Sequence, residues 1–149
     1  MKAVANSILA TLIISIFLLT FTNFILFFPW YLTLVFETFN LSTQAASVNY
    51  IKPEMVKFVE DDLKSRPLFK DPLVKDQIFV HMDGNKITPS ADESTVKSIY
   101  CKQRGKSFKV SITASFPFVI KAFGNDFTRT KDITFELPTT GVKYYKDLP

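Results

Sequence analysis

The chain opens with a long apolar run, and the hydrophobic pattern after it changes to shorter helical and alternating stretches. Residues 3–36 carry no charge, because Lys2 and Glu37 are the charged residues on either side of the run. As a helix, 34 such residues extend about 50 Å, whereas the bilayer hydrocarbon is about 30 Å thick. Two crossings would need about 20 residues each plus a turn. The run therefore predicts one membrane-spanning helix that continues beyond the membrane.

The residue types in the run suggest where the helix leaves the bilayer. Trp30 and Tyr31 have amphipathic rings that favour the headgroup level, and Pro29 beside them can bend a helix. We therefore place the membrane span near Ser7 to Phe28. Beyond the span, apolar residues at helical spacing predict that the helix continues. This apolar face consists of Leu32, Val35, Phe36, Phe39 and Ala46.

The same run allows a second interpretation, a cleaved signal peptide, because Thr43-Gln44-Ala45 offers small residues at a suitable spacing. The apolar core of a signal peptide has about 7 to 15 residues, so we favour an uncleaved anchor. Lys2 at the amino end favours an exported carboxyl end under the positive-inside rule. These features predict a single-pass protein of the cell membrane. Residues 1–46 would form the anchor and a helical stalk, and residues 47–149 an extracellular domain.

After the stalk the pattern predicts short elements. Pro53 to Ser65 predicts an amphipathic helix that Pro67 ends, followed by an extended connection. A hairpin that turns at Asp83-Gly84-Asn85 is predicted next. The clearest strand is Phe108 to Phe116, where apolar residues alternate with polar ones, and Pro117 is expected to end it. Three further strands are predicted at VKSIYC, DITFELP and GVKYYK.

The predicted fold class is α+β. A long N-terminal transmembrane helix extends into a small antiparallel β-sheet domain with one short helix. About 110 residues suffice for one such domain. The formal net charge of +4 comes from interspersed charges rather than a basic block, so no nucleic-acid partner is predicted.

Cys101 and His81 are the single cysteine and the single histidine, and a thiol with an imidazole can form a catalytic pair. The stretch around Cys101 resembles the cysteine region of sortases, but Arg104 follows the cysteine too closely for that arrangement. A lone cysteine on a strand is more often a small apolar filler. We therefore predict no enzymatic activity, no cofactor and no metal site.

Two sets of residues are candidates for contacts with partners. Glu37 is the first charge after the apolar run, and we predict Glu37, Phe36 and Phe39 as assembly residues, with Glu37 meeting a partner's positive charge. Otherwise Glu37 is an ordinary helix residue just outside the membrane. In the alternative function, an anchored binding domain captures an envelope ligand or protein through the loop VIKAFGNDFTR. The loop candidates are Phe118, Lys121, Phe123, Phe127 and Arg129.

Four short stretches carry a family resemblance: NLSTQAASVNY after the anchor, VSITASFPF, ITFELP and TTGVKYYK. Together with the apolar helix that runs out of the membrane, they resemble the TadE-like minor pilins and pilin-like proteins of Gram-positive bacteria, often encoded near conjugation genes. The resemblance implies a pilin-like structural or assembly subunit of a pilus, secretion or conjugation apparatus, without catalytic residues. Its partners would be the lipid bilayer and, through the N-terminal helix, other pilin-like or secretion-apparatus subunits.

Overall fold

The protein has the α+β architecture expected from its sequence. The computed structural model describes residues 2–122 and 125–146, with the side chains of residues 120–127 also outside the description. The helices are α1 (Lys2–Val48), α2 (Pro53–Ser65) and α3 (Glu93–Tyr100). The strands are β1 (Ile78–Met82), β2 (Asn85–Ile87), β3 (Ser107–Ala122) and β4 (Asn125–Thr140). They form an antiparallel sheet in the order β2-β1-β3-β4, which places β4 at an edge.

Helix α1 has two parts with different surroundings. Its 47 residues include a bare part, residues 2–22, in which every side chain is exposed. At 1.5 Å per residue the bare part is about 31 Å long, close to the thickness of the bilayer hydrocarbon. From Asn23 onward the helix packs along the domain. Length and composition thus make α1 suitable for crossing a membrane, a test that a signal sequence also passes.

The packed part of α1 contributes to the hydrophobic core of the domain. Its fully buried apolar side chains are Trp30, Leu34, Leu41 and Ala45. They lie against the inner face of the sheet, where the alternating residues of β3 are also buried. The division of the chain near residue 46 stays a prediction, but the core extends across that point. If the boundary is drawn where α1 first contacts the rest of the domain, it falls at Asn23.

The buried face of α1 differs from the apolar face that stands out in the sequence. Leu32, Phe36 and Phe39 are exposed, whereas Glu37 and Thr38 are buried. The hydroxyl of Thr38 donates to the carbonyl oxygen of Leu34 at 2.8 Å, so it is satisfied within the helix. Because Glu37 and Thr38 face the domain, Leu32, Phe36 and Phe39 lie on the exposed side of the helix.

Trp30 is a residue of the protein core rather than a ring exposed to lipid. Its indole is fully buried, with ring centroids 5.2 Å from those of Phe69 and Phe116. Trp30 therefore gives no evidence for where the membrane span ends, because an aromatic ring after an apolar run suits a membrane interface and a protein core equally well. The span near Ser7 to Phe28 stays a prediction.

β3 and β4 form one hairpin of 16 residues on each side. The expectation that β3 ends at Pro117 was wrong, because the strand continues to Ala122 and Pro117 pairs with Thr130. β1 accompanies β3 only as far as Ala114, so Pro117 has a neighbouring strand on one side. A proline is tolerated where one side of the backbone is unpaired. The segment that we expected to be a binding loop is therefore largely paired strand.

Three shorter segments also differ from expectation. Val96 to Tyr100 is helical and Cys101 follows the helix, because the carboxylate of Asp92 accepts the backbone N–H of Thr95 at 3.0 Å and caps α3. Residues 141–146 are irregular rather than an edge strand. The connection after α2 is a single 3₁₀ turn, Pro67–Phe69, followed by further turns, rather than an extended segment.

Two local predictions are confirmed. α2 covers Pro53–Ser65, with its proline at the start as expected. The first hairpin turns at Asp83 and Gly84, whose φ values of 49° and 80° fit the mirror-image turn that joins two strands tightly.

Candidate functional site

An apolar stripe runs along the exposed side of α1, from the bare part onto the domain. Its members are three or four residues apart, so they share one side of the helix. The apolar stripe consists of Phe17, Phe21, Phe24, Phe28, Leu32, Phe36 and Phe39. Their side chains range from 49% exposed at Leu32 to 67% exposed at Phe24. The stripe contains two of the predicted assembly residues.

The outer end of the apolar stripe borders a groove between α1 and β4. The groove has a volume of about 560 Å³ and is lined by Leu32, Thr33, Val35, Phe36, Phe39, Arg66, Phe135 and Leu137. Leu32 lies ten residues beyond Thr22, which is about 15 Å along the helix. The headgroup layer extends only about 5 to 7 Å beyond the hydrocarbon. If the bare part crosses the bilayer, this groove therefore faces water, where an exposed apolar patch marks an interaction surface.

Glu37 is buried and has its positive partner within the same chain, Arg66, which lines the groove. It is 3% exposed, and its Oε1 accepts from Nη2 of Arg66 at 2.8 Å. The same Nη2 lies 2.7 Å from Oδ2 of Asp62, so the guanidinium is shared between two carboxylates. Arg66 directly follows α2, and the contact therefore ties α2 to α1. A role for Glu37 at a subunit contact stays a prediction, which its burial disfavours.

Burial shifts the titration of Glu37. The loss of water around the carboxylate raises its pKa, and the negative charge of Asp62 raises it further. The guanidinium of Arg66 acts in the opposite direction without cancelling the rise. The group therefore takes up a proton at a higher pH in the folded protein than in the unfolded chain.

Asn23 fixes the hairpin to α1 where the bare part ends. Its Nδ2 donates to the carbonyl oxygen of Val119 at 2.8 Å, and its Oδ1 accepts the N–H of Val119 at 3.1 Å. One turn later, the ring of Phe27 lies 5.2 Å from that of Phe116 and 6.3 Å from that of Phe118. Asn23 is not among the residues predicted from the sequence, although a strongly polar residue within an apolar run is the signal that could have identified it.

The predicted loop candidates have different surroundings. Phe118 is half-buried, 4.9 Å from Phe116 between ring centroids, and so belongs to the aromatic cluster against α1. Arg129 is exposed on β4, opposite Phe118 in the register. Phe123 lies outside the described residues, as do the side chains of Lys121 and Phe127. The positions of Phe118 and Arg129 do not test the alternative function as an anchored binding domain, which stays a prediction.

The cysteine and histidine considered for catalysis are not brought together. His81 is on β1 opposite Ser111, and Cys101 follows α3. Burial raises the pKa of the Cys101 thiol, which lowers the fraction of reactive thiolate near neutral pH. Among the residues that the structure describes, no cluster of three His, Cys, Asp or Glu side chains could hold a metal ion. The absence of catalysis and of cofactors stays a prediction.

The segment after β4 closes the domain onto the end of α1. Asn49 is fully buried in the left-handed conformation, with φ 65°. Its Oδ1 accepts the N–H of Lys143 at 2.9 Å, and its Nδ2 donates to the carbonyl oxygens of Lys102 and Lys143. The hydroxyl of Tyr145 donates to the carbonyl oxygen of Val48 at 2.7 Å. The GVKYYK pattern thus serves to fasten the chain rather than to extend the sheet.

Comparison with known proteins adds no family assignment. No protein-family model, no curated protein sequence and no solved structure matches this chain. The resemblance to TadE-like pilins therefore stays a prediction, and the functional argument depends on the apolar stripe and on the end of the bare part of α1.

Proposed function

We propose that the protein is a single-pass, membrane-anchored, pilin-like structural or assembly subunit that joins other subunits side by side through α1. In this proposal residues 3–22 cross the cell membrane, and the domain lies outside from Asn23 onward. One observation carries the proposal. The apolar stripe continues without interruption from the bare part of α1 onto the domain.

The length of the apolar stripe favours a partner helix in the same membrane. From Phe17 to Phe39 the stripe covers 22 helical steps, about 33 Å. A partner that covers all of it must itself pass from hydrocarbon into water, as an anchored helix does. Inside the bilayer the contact would depend on close packing. In water, burial of Leu32, Phe36 and Phe39 would stabilise the contact by about 25 cal/mol for each Å² of apolar surface removed from solvent.

The resemblance to TadE-like minor pilins suggests the setting of this contact. It favours a pilus, secretion or conjugation apparatus in the cell envelope, in which related subunits are anchored next to one another. The charge of Lys2 favours a cytoplasmic amino end and an extracellular domain. The long helix packed on a small antiparallel sheet supports the same proposal, because it leaves one side of the helix free for neighbours.

Substitutions at the outer end of the apolar stripe test the proposal. Phe36→Ser with Phe39→Ser changes two exposed rings that lie outside the bilayer in this account. The matched control is Phe58→Ser with Ile99→Ser, which removes two equally exposed apolar side chains outside the stripe. Each full-length variant is produced in the native host, cross-linked in intact cells and extracted in mild detergent.

We expect the Phe36 and Phe39 variant to lose its cross-linked partners while it stays in the membrane after alkaline extraction. The control variant should keep them. Equal partner recovery from both variants would refute assembly through α1 and would favour the anchored binding domain. Release of the wild-type protein by alkali would refute the anchor itself.

A further inference from the structure

We propose that the β3–β4 hairpin binds anionic phospholipid headgroups through Arg129 and Lys131. The domain would then contact the membrane at a second place beside α1. This inference rests on the proposed anchor, because the bare part of α1 sets the height of the domain above the bilayer. It adds a lipid-binding site to a domain for which the proposed function requires only protein partners.

The sheet register gives the level of the two basic residues. Arg129 pairs with Phe118, and Lys131 pairs with Phe116. Both phenylalanine rings contact Phe27 on α1. The two cations are therefore carried beside the segment of α1 that directly follows the bare part.

This level coincides with the lipid headgroups. Phe27 is five residues beyond Thr22, which places it about 7 Å from the end of the bare part along the helix axis. The polar headgroup layer occupies about 5 to 7 Å on each side of the hydrocarbon. The hydrogen bonds between Asn23 and Val119, about one helical turn nearer the hydrocarbon, fix the hairpin to α1.

The chemistry of the two side chains suits a lipid phosphate. Arg129 and Lys131 are two residues apart on one strand, so they share a face, and both are exposed. Within the part of the chain that the structure describes, neither forms an ion pair with a carboxylate. The neighbouring Asp132 lies on the other face, where its carboxylate accepts from the hydroxyl of Ser115. A guanidinium and an ammonium group both bind phosphate oxygens, and basic residues near a bilayer surface favour anionic lipid.

Lipid selectivity around the reconstituted protein tests the inference. The full-length protein is placed in bilayers of phosphatidylcholine that contain phosphatidylglycerol. Spin-labelled forms of each lipid then report the fraction immobilised at the protein surface. The test variant is Arg129→Gln with Lys131→Gln. The control is Lys106→Gln with Lys146→Gln, which makes the same charge change at exposed positions near the far end of the domain.

We expect the preference for phosphatidylglycerol over phosphatidylcholine to fall about threefold or more in the Arg129 and Lys131 variant, since each basic residue at a membrane surface contributes measurably. The control variant should keep the wild-type preference. Raising the salt concentration should reduce the preference of the wild-type protein as well, without any substitution. Unchanged fluorescence of Trp30 would show that both variants are folded.

The outcomes separate this inference from the proposed function. An anchored wild-type protein that shows no preference for phosphatidylglycerol, or the same preference in both variants, would overturn the headgroup site and leave the anchor intact. A wild-type protein that alkali removes from the bilayers would overturn the anchor, and the inference with it.

Discussion

Three polar residues, two on α1 and one directly after it, fasten the rest of the domain to the helix. Asn23 binds the backbone of β3, Glu37 binds Arg66 after α2, and Asn49 binds the segment after β4. From the sequence alone, each of these polar side chains could equally well face water, a partner subunit or another segment of the same chain. Only the approach of distant segments decides among them, because a hydrogen bond needs its partner within about 3 Å.

The buried carboxylate of Glu37 predicts a characteristic pH dependence of stability. Because burial raises its pKa, the folded state binds this proton more tightly than the unfolded chain does. The contribution of Glu37 to the free energy of unfolding should therefore rise as the pH falls from neutral toward the ordinary carboxyl pKa of 4.5. Denaturant unfolding of the full chain in micelles, with Glu37→Gln as the reference, measures this contribution.

The comparison of Glu37→Gln with the wild-type protein removes the effect of other titrating groups. We expect the wild-type protein to gain stability relative to the variant between pH 7 and pH 5. A relative loss over that interval would show that the Arg66 charge outweighs burial and that the pKa of Glu37 is lowered instead.

There is no room for a side chain at Gly141, in the segment that follows β4. A Cβ added there would lie 2.6 Å from Cγ of Asn49, which is buried and hydrogen-bonded on three sides. Gly141→Ala should lower the free energy of unfolding by about 1 to 3 kcal/mol, as overpacking usually does. In an Asn49→Gly background the same substitution should cost much less. If Gly141→Ala lowered the free energy of unfolding equally in both backgrounds, the contact with Asn49 would not be the cause.

At the level of elements, the parts that could be predicted are those with local signals. α2 begins with a proline and the first hairpin turns at Asp-Gly, and each signal acts within a few residues. The length of the hairpin could not be predicted, because whether Pro117 ends a strand depends on how far β1 accompanies β3. The α3 segment was misassigned because its cap, Asp92, was overlooked.

The candidate site shows the same limit of sequence information. The apolar residues of α1 could be identified, and Phe36 and Phe39 are exposed as an assembly surface requires. Their hydrophobicity did not say whether lipid, a partner or the core covers each one, since the hydrophobic effect has no direction. Trp30 was therefore assigned to the interface although it lies in the core.

Truncation at two positions tests the division of α1. Removal of residues 1–22 should leave a folded, soluble domain, because the side chains of residues 2–22 are all exposed. Removal of residues 1–46 deletes four buried core residues, and a single large-to-small core change already costs about 2 to 5 kcal/mol. Since total stability is about 5 to 15 kcal/mol, the shorter product should be unfolded. Circular dichroism and thermal melting distinguish the products, and a cooperative transition in the shorter one would restore the boundary near residue 46.

At the level of the whole molecule, α1 divides at residue 22 into a proposed membrane span and a helix that packs on the domain. The apolar stripe, the groove beside β4 and the headgroup site all take their position from that point. If the bilayer ended near Phe28 instead, a longer part of the hairpin, including the hydrogen bonds between Asn23 and Val119, would lie within hydrocarbon. β4 is an edge strand, and an exposed strand edge in hydrocarbon is strongly unfavourable.

Quenching of Trp30 by brominated lipids tests this central claim most directly, because Trp30 is the single tryptophan. It lies eight residues beyond Thr22, about 12 Å outside the hydrocarbon in this account, and within the protein core. Bromine atoms on the acyl chains should therefore leave its fluorescence almost unchanged. A control with Phe17→Trp and Trp30→Phe should be quenched strongly. Strong quenching of Trp30 in the wild-type protein would contradict the account and return the membrane boundary to Phe28.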